Sequence, residues 1–189
     1  MLRYASIDVE TTGLDPHRNQ VLEIAVVVET DWGTAVEDLP FLRLVLRHEH
    51  VFASWRALEM NARLFRGEVD ASGDLVARHP PGPAAHHLLT FLRDQFGYGV
   101  GRGERVTAAG KNFATFDKLF LERLPGCPRG VFRHRVLDPV TLWVDSDDGV
   151  PPDLETCLDR ANLKPSGPHT ALGDARDVIR LIRAGLNYA

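Results

Sequence analysis

Asp8 and Glu10 stand two residues apart in Ser6-Ile7-Asp8-Val9-Glu10-Thr11-Thr12-Gly13-Leu14. Leu2 to Val9 reads as a strand, and side chains alternate across a strand, so the two acids project from the same face. Two carboxylates on a rigid element can share a hard divalent cation such as Mg²⁺ or Mn²⁺. On this spacing alone, a solvated acidic pair on an edge strand is the simpler account. Thr11, Thr12 and Gly13 end the strand in a turn, which leaves backbone N–H groups and hydroxyls at its mouth.

A third acid, Asp117, falls in Asn112 to Leu124, where Phe113, Phe116, Phe120 and Leu124 recur at helical spacing and predict a helix. Asp117 lies within that apolar stripe. An ionised acid on a core-facing stripe needs a compensating partner, because burying a bare charge is costly. Lys118 and Arg123 lie too far around the helix to serve it, so a basic residue from elsewhere in the fold and a bound cation are equally good accounts. The fourth acid, Asp174, follows His169 by just over a helical turn in Gly167-Pro168-His169-Thr170-Ala171-Leu172-Gly173-Asp174-Ala175. Pro168 implies an irregular start, so a mobile imidazole hangs over a fixed carboxylate and can act as a general base. A histidine satisfied by a local carbonyl is the alternative for that residue taken alone.

Taken in order, Asp-x-Glu-Thr-Thr-Gly-Leu, Asn-Phe-x-x-Phe-Asp and His-x-Ala-x-x-Asp-Ala resemble the DEDDh exonucleases of the DnaQ-like 3′-to-5′ exonuclease superfamily. The resemblance runs over nearly the whole chain and includes all five catalytic residue types. It implies a ribonuclease H-like α/β fold with a central mixed five-stranded sheet, three antiparallel strands followed by parallel ones, flanked by helices. It also implies phosphodiester hydrolysis with two Mg²⁺ or Mn²⁺ ions per site. By the same resemblance, Asp8, Glu10 and Asp174 hold one ion, Asp8 and Asp117 hold the other, and His169 takes a proton from the attacking water.

In such enzymes the turn after the first motif and the residues around the second touch the terminal nucleotide. The matching positions are Thr11, Thr12, Gly13 and Leu14, with Leu14 wedged against a base, and Asn112 and Phe116 beside the 3′ end. Ala57-Leu58-Glu59-Met60-Asn61 looks like the helix that sets a hydrophobic residue beside the terminal base, which adds Met60. Apolar faces stack on a base without reading its identity, so end recognition is expected over sequence recognition. Core packing is the competing account for Leu14 and Phe116.

The 189 residues suit one exonuclease domain spanning 1–189, and 44% hydrophobic with 25% charged residues is ordinary for a globular chain. The N-terminus lacks the apolar core of a secretory signal, and no run approaches the ~20 apolar residues of a membrane span, so a cytoplasmic location is expected. Cys127 and Cys157 are too few for a disulfide scaffold and read as reduced thiols. A formal charge of −4 argues against a long duplex-binding surface. A short single-stranded 3′ end needs fewer contacts, and Arg129, Arg133, His134 and Arg135 form a local basic cluster able to attract phosphates or to balance the acids as a solvated loop.

Strands are expected at Val21 to Thr30, Phe41 to Arg47, Glu104 to Ala109 and near Val136. Helices are expected at Ala53 to Arg66, Ala84 to Phe96, Asn112 to Leu124, Pro152 to Ala161 and Thr170 to Leu186. The chain stops soon after its last helix, at Ala189, without the C-terminal extension through which proofreading subunits of the superfamily reach a polymerase. A stand-alone enzyme is therefore expected. A polymerase partner, a homodimer, and a non-catalytic module that binds nucleic-acid ends all remain compatible with the sequence.

Overall fold

Strand β1 (Tyr4–Thr11) is the axis of the molecule. The computed structural model describes residues 2–68, 76–167 and 169–186, so Pro168 and the chain end at Ala189 lie outside the described residues. β2 (Val21–Glu29) runs antiparallel to β1, and β3 (Phe41–Leu46) antiparallel to β2. Two-residue strands close the sheet, β4 (Arg78–His79) parallel to β3 and β5 (Ala108–Ala109) parallel to β1. The order is β4-β3-β2-β1-β5, the mixed five-stranded sheet of the ribonuclease H-like fold.

Several boundaries differ from the sequence expectation. β1 extends through Glu10 to Thr11, which pairs with Val21 beyond a register shift. The expected strand from Glu104 shrinks to Ala108–Ala109, with single bridges from Val106 to Phe132 and from Ala109 to Leu137 on its outer side. β4 was not foreseen, and the region near Val136 contributes a bridge rather than a strand. The expected helix from Ala53 divides into α1 (Trp55–Met60) and α2 (Ala62–Arg66) at Asn61. Next come α3 (Ala84–Phe96), α4 (Asp117–Leu121), α5 (Leu154–Arg160) and α6 (Ala171–Gly185).

Alternation along β1 assigns its two faces. Ala5, Ile7 and Val9 enter a core with Leu88 and Leu92 of α3, Phe113, Phe120 and Phe132. Phe113 and Phe132 meet edge to face at 5.2 Å, a geometry that ring quadrupoles favour. The opposite parity puts Tyr4 against Ala175, Val178, Ile179 and Ile182 of α6. Ser6, also of that parity, donates from its hydroxyl to the Ala175 carbonyl at 2.7 Å. Asp8 and Glu10 continue this parity, so the α6 face of the sheet carries them toward Asp174.

The turn after β5 approaches β1 closely. A Cβ on Gly110 would lie 2.7 Å from the Ile7 carbonyl oxygen, which only glycine avoids. Asn112 then adopts the left-handed conformation (φ 58°), which asparagine tolerates better than most residues. Its N–H donates to Asp138 Oδ2 at 3.0 Å. Among the described residues no helix is long and apolar enough to cross a membrane.

Candidate active site

Three acids from two elements converge. Asp8 and Glu10 on β1 and Asp174 in the first turn of α6 each offer a carboxylate oxygen, and these oxygens lie within 4.8 Å of one another. Thr170 caps α6, its Oγ1 accepting from the Gly173 N–H at 3.0 Å, which fixes where the first turn begins and hence where Asp174 points.

Asp117 reaches the same end of β1 from the other side. It opens α4 instead of lying inside a longer helix, because Asn112 and Phe116 (φ −126°, ψ −79°) break the helical path before it. Asp117 is 2% exposed, and its Oδ1 accepts from the Val9 N–H at 3.0 Å. Among the described residues no lysine or arginine pairs with it, and Lys118 turns to Glu122 instead.

The electrostatics of the four acids are uniform in sign. Burial, then Asp117, Asp174 and Glu10, hold the Asp8 carboxyl well above the usual carboxylate range. Burial and the neighbouring Glu23 raise Glu10, with Arg63 opposing. Burial also raises Asp174, with His169 opposing, and pushes Asp117 up to about 7 against the pull of the Val9 N–H. The cluster is short of positive charge, and all of its donors are hard oxygens. A divalent cation fits both conditions. Among the described residues the buried Oδ1 of Asn61, beside Glu10, meets no donor, so a second polar group at this spot is unsatisfied by the protein.

His169 is 80% exposed, and its Nδ1 lies 3.4 Å from Asp174 Oδ2. Its main chain is anchored, because the Arg63 Nε donates to the His169 carbonyl at 3.1 Å. Sequence reasoning missed Arg63 and its partner Glu23. Glu23 is fully buried on β2, directly across from Glu10. It receives Arg63 Nη2 at 2.5 Å and Arg43 Nε at 2.6 Å, while Glu68 receives both arginines at 2.6 Å. Glu23 Oε2 also lies 3.5 Å from the Ala171 N–H at the start of α6. One buried network thus ties β2, β3, α2 and the His169 turn together. The available signal was a glutamate inside an otherwise apolar strand, the same signal that exposed Asp117.

A cleft of about 490 Å³ adjoins the acids, lined in part by Val9, Glu10, Leu14, Met60, Asn61 and Phe116. Leu14 and Met60 are 83% and 62% exposed, so neither is core. On the far side of Phe116 a second cleft holds Asp8, Asp117, Lys111, Asn112 and Thr115. Thr11 and Thr12 are buried, and their hydroxyls donate within the chain, to the Gly13 and Phe52 carbonyls, each at 2.7 Å. Thr12 Oγ1 also accepts from the Gln20 N–H. What the turn offers to a ligand is therefore its shape and main chain more than free hydroxyls. A Cβ on Gly13 would sit 2.6 Å from Asn19 Oδ1 and push that side chain off its bonds to the Asp15 N–H and the Phe52 carbonyl.

No family model matches the chain. It is 31% identical over 180 residues to the oligoribonuclease of Aeromonas hydrophila subsp. hydrophila, covering 92% of this chain and 87% of that protein. The oligoribonuclease of Idiomarina loihiensis is 24% identical over 173 residues, covering 92% and 86%. In fold, the chain is similar to E. coli exonuclease I solved with a dT13 oligonucleotide, with a TM-score of 0.66 at 13% identity over 98% of this chain. A product-bound exonuclease I gives a TM-score of 0.65 at 12% identity over 96% of this chain. The chain spans about two fifths of those exonuclease I chains (41% and 42%).

Proposed function

We propose, from the premise that the chain belongs to the oligoribonuclease family of the DEDDh (DnaQ-like) exonucleases, that it hydrolyses single-stranded nucleic acid from the 3′ end and releases nucleoside 5′-monophosphates. The observation that carries this reading is the meeting of Asp8, Glu10 and Asp174 within 4.8 Å beside a cleft walled by exposed apolar side chains. Short oligonucleotides, RNA included, are the substrates the relatives' name recommends.

Asp8, Glu10 and Asp174 would hold one divalent ion, and Asp8 with Asp117 a second, Mg²⁺ or Mn²⁺. Bound ions would lower the pKa of water and offset charge on the leaving oxygen. The residues themselves do the rest. Leu14, Met60 and Phe116 give the terminal bases apolar surfaces without reading their identity. Asp174 faces His169 Nδ1, which favours the tautomer with the proton on Nδ1 and leaves Nε2 free as the base. Nε2 takes the proton as water oxygen bonds to phosphorus, the bond from phosphorus to the penultimate 3′ oxygen breaks, and that oxygen is protonated from solvent. The carboxyls that would hold the ions are raised by burial and must lose their protons to do so, so turnover rises from acid to neutral pH.

Matched 5′-labelled RNA and DNA, from dinucleotides to about a dozen nucleotides, incubated with Mg²⁺ or Mn²⁺, test the reading. The expected outcome is a ladder shortening from the 3′ end with monophosphate products. Intact oligomers under every condition overturn it.

A further inference from the structure

Two adjoining clefts lie along the outer side of β5, near the N-terminal end of β1. One, of about 450 Å³, is lined by residues including Arg3, Phe96, Glu104, Arg105, Thr107 and Arg133. The other, of about 420 Å³, shares Arg105, Thr107 and Arg133 and adds Leu2, His134, Arg135, Val136 and Leu137. Four arginines and a histidine thus converge, against one lining acid. That acid, Glu104, is folded over Gly99, where its carboxylate fills the space a Cβ would need. Among the described residues Arg105, Arg133 and Arg135 make no ion pair, whereas Arg43, Arg63, Arg160, Arg180 and Arg183 all do. Arg3 is held over the Phe96 ring at 5.4 Å.

On a chain of formal charge −4, unpaired arginines gathered at one place need an anionic partner to be worth their mutual repulsion. Their setting specifies its kind. The clefts combine guanidinium groups with an apolar floor of Leu2, Phe96, Val136 and Leu137, the pairing that suits phosphates and bases of a single strand. Their placement specifies the route. The segment carrying Arg133 and Arg135 runs parallel to β5, bridging Val106 to Phe132 and Ala109 to Leu137. From Phe132 to Leu137 it advances five residues while the facing chain advances three, from Val106 to Ala109, with a bend at His134. It ends at Asp138, which receives the N–H of Asn112 in the cleft of Asp8 and Asp117. Lys111 lines that same cleft, so positive charge continues to the acids.

We propose that this edge binds the sugar–phosphate backbone of the nucleic-acid chain upstream of the 3′ end held in the active site. The proposal rests on the exonuclease reading. By the pairing of Ala5 with Ala108, Val106, whose carbonyl receives the Arg133 N–H, lies level with Arg3, and from there β1 needs about five residues at ~3.3 Å, roughly 16 Å, to reach Asp8. A stacked strand advances ~3.4 Å per nucleotide, so about five nucleotides separate the two places. A dinucleotide reaches only the acids, and longer chains gain the arginines.

The test compares wild type with the Arg105→Ala/Arg133→Ala/Arg135→Ala protein. All three side chains are exposed, and none belongs to the active site. Fluorescence anisotropy with a labelled single strand of about twelve thymidines in EDTA should show affinity weakened at least tenfold at low salt. The slope of log K against log salt should shrink by about 2, three arginines at ~0.7 per phosphate on a single strand. Dinucleotide hydrolysis with Mn²⁺ should match wild type. Unchanged affinity and slope overturn the proposal, as does an equal loss on the dinucleotide, or poly-glutamate binding as tightly as the oligonucleotide. Arginine-dependent binding in a wild type that cuts no oligomer would sink the exonuclease reading and leave the binding edge standing.

Discussion

Replacing Asp117 with asparagine isolates the charge deficit at the site. Burial, the leading cause, pushes this carboxyl up to about 7, against ~3.9 in an unfolded chain. A raised carboxyl stabilises the fold only while it holds its proton. The contribution is complete below about pH 4 and is lost as pH rises through about 7. About 3 units at ~1.4 kcal/mol each gives an upper value of ~4 kcal/mol. Asp8, Glu10 and Asp174 are shifted in the same direction and add to the trend. Asparagine keeps an oxygen for the Val9 N–H and carries no charge. In EDTA, the variant and wild type should therefore melt together at or below about pH 4 and diverge as pH rises toward 7. At pH 8 the variant should melt higher, by roughly 4–8 °C, taking about half the upper value and 2–4 °C per kcal/mol for a chain of this size. A divalent ion at about 100 times its Kd should return ~2.7 kcal/mol to wild type at pH 8, with a smaller gain for the variant. Scanning calorimetry across pH, with and without Mn²⁺, reads all of this. Parallel pH profiles for the two proteins, or a wild-type melting point indifferent to divalent ions, would refute the reasoning.

His169→Ala should lower kcat by about 10²- to 10⁴-fold while the Mn²⁺-induced rise in melting temperature persists; wild-type-like turnover removes the histidine from its role. Arg63→Ala should cost about 3–5 kcal/mol in urea unfolding because it leaves buried Glu23 under-compensated, and adding Glu23→Gln should recover part of the loss, whereas additive losses would contradict the pairing. Leu14→Ser removes an exposed apolar surface at the cleft, so KM for short oligonucleotides should rise with kcat nearly unchanged, and an unaltered KM would detach Leu14 from the substrate.

The sheet was legible where pattern length sufficed. Val21–Glu29 is apolar but for Glu23 and its last residue, and its strand came out within a residue of expectation. β4 and β5, of two residues each, are too short to carry a period, and neighbours decide them. The helix expected from Asn112 to Leu124 shows how spacing misleads. Phe113, Phe116 and Phe120 recur at three and four residues, yet a succession of turns repeats at the same interval. What interrupts the helix is the left-handed backbone of Asn112, held by Asp138 far along the chain. Such a cause is tertiary and leaves no local mark. The split of α1 from α2 at Asn61 is of the same kind, since the Asn61 Nδ2 donates to the Thr11 carbonyl at 3.3 Å.

The site divides its acids in a way that the sequence, which shows only their types, could not reveal. Glu10 and Glu23 face each other across β1 and β2, and residue type does not distinguish them. Their partners do. Glu23 takes two arginines at 2.6 Å or less, whereas Glu10 has Arg63 only at 4.0 Å, and Asp8 and Asp117 have no arginine at all among the described residues. A buried carboxylate compensated by guanidinium groups is finished as structure, because a cation there would have to displace two bonded charges. A carboxylate left without them still needs positive charge, and ions can supply it. Arg63 is shared across this boundary. It neutralises Glu23, lies within reach of Glu10 and holds the His169 carbonyl, so the group that completes the framework also fixes where the proposed base hangs over the uncompensated acids.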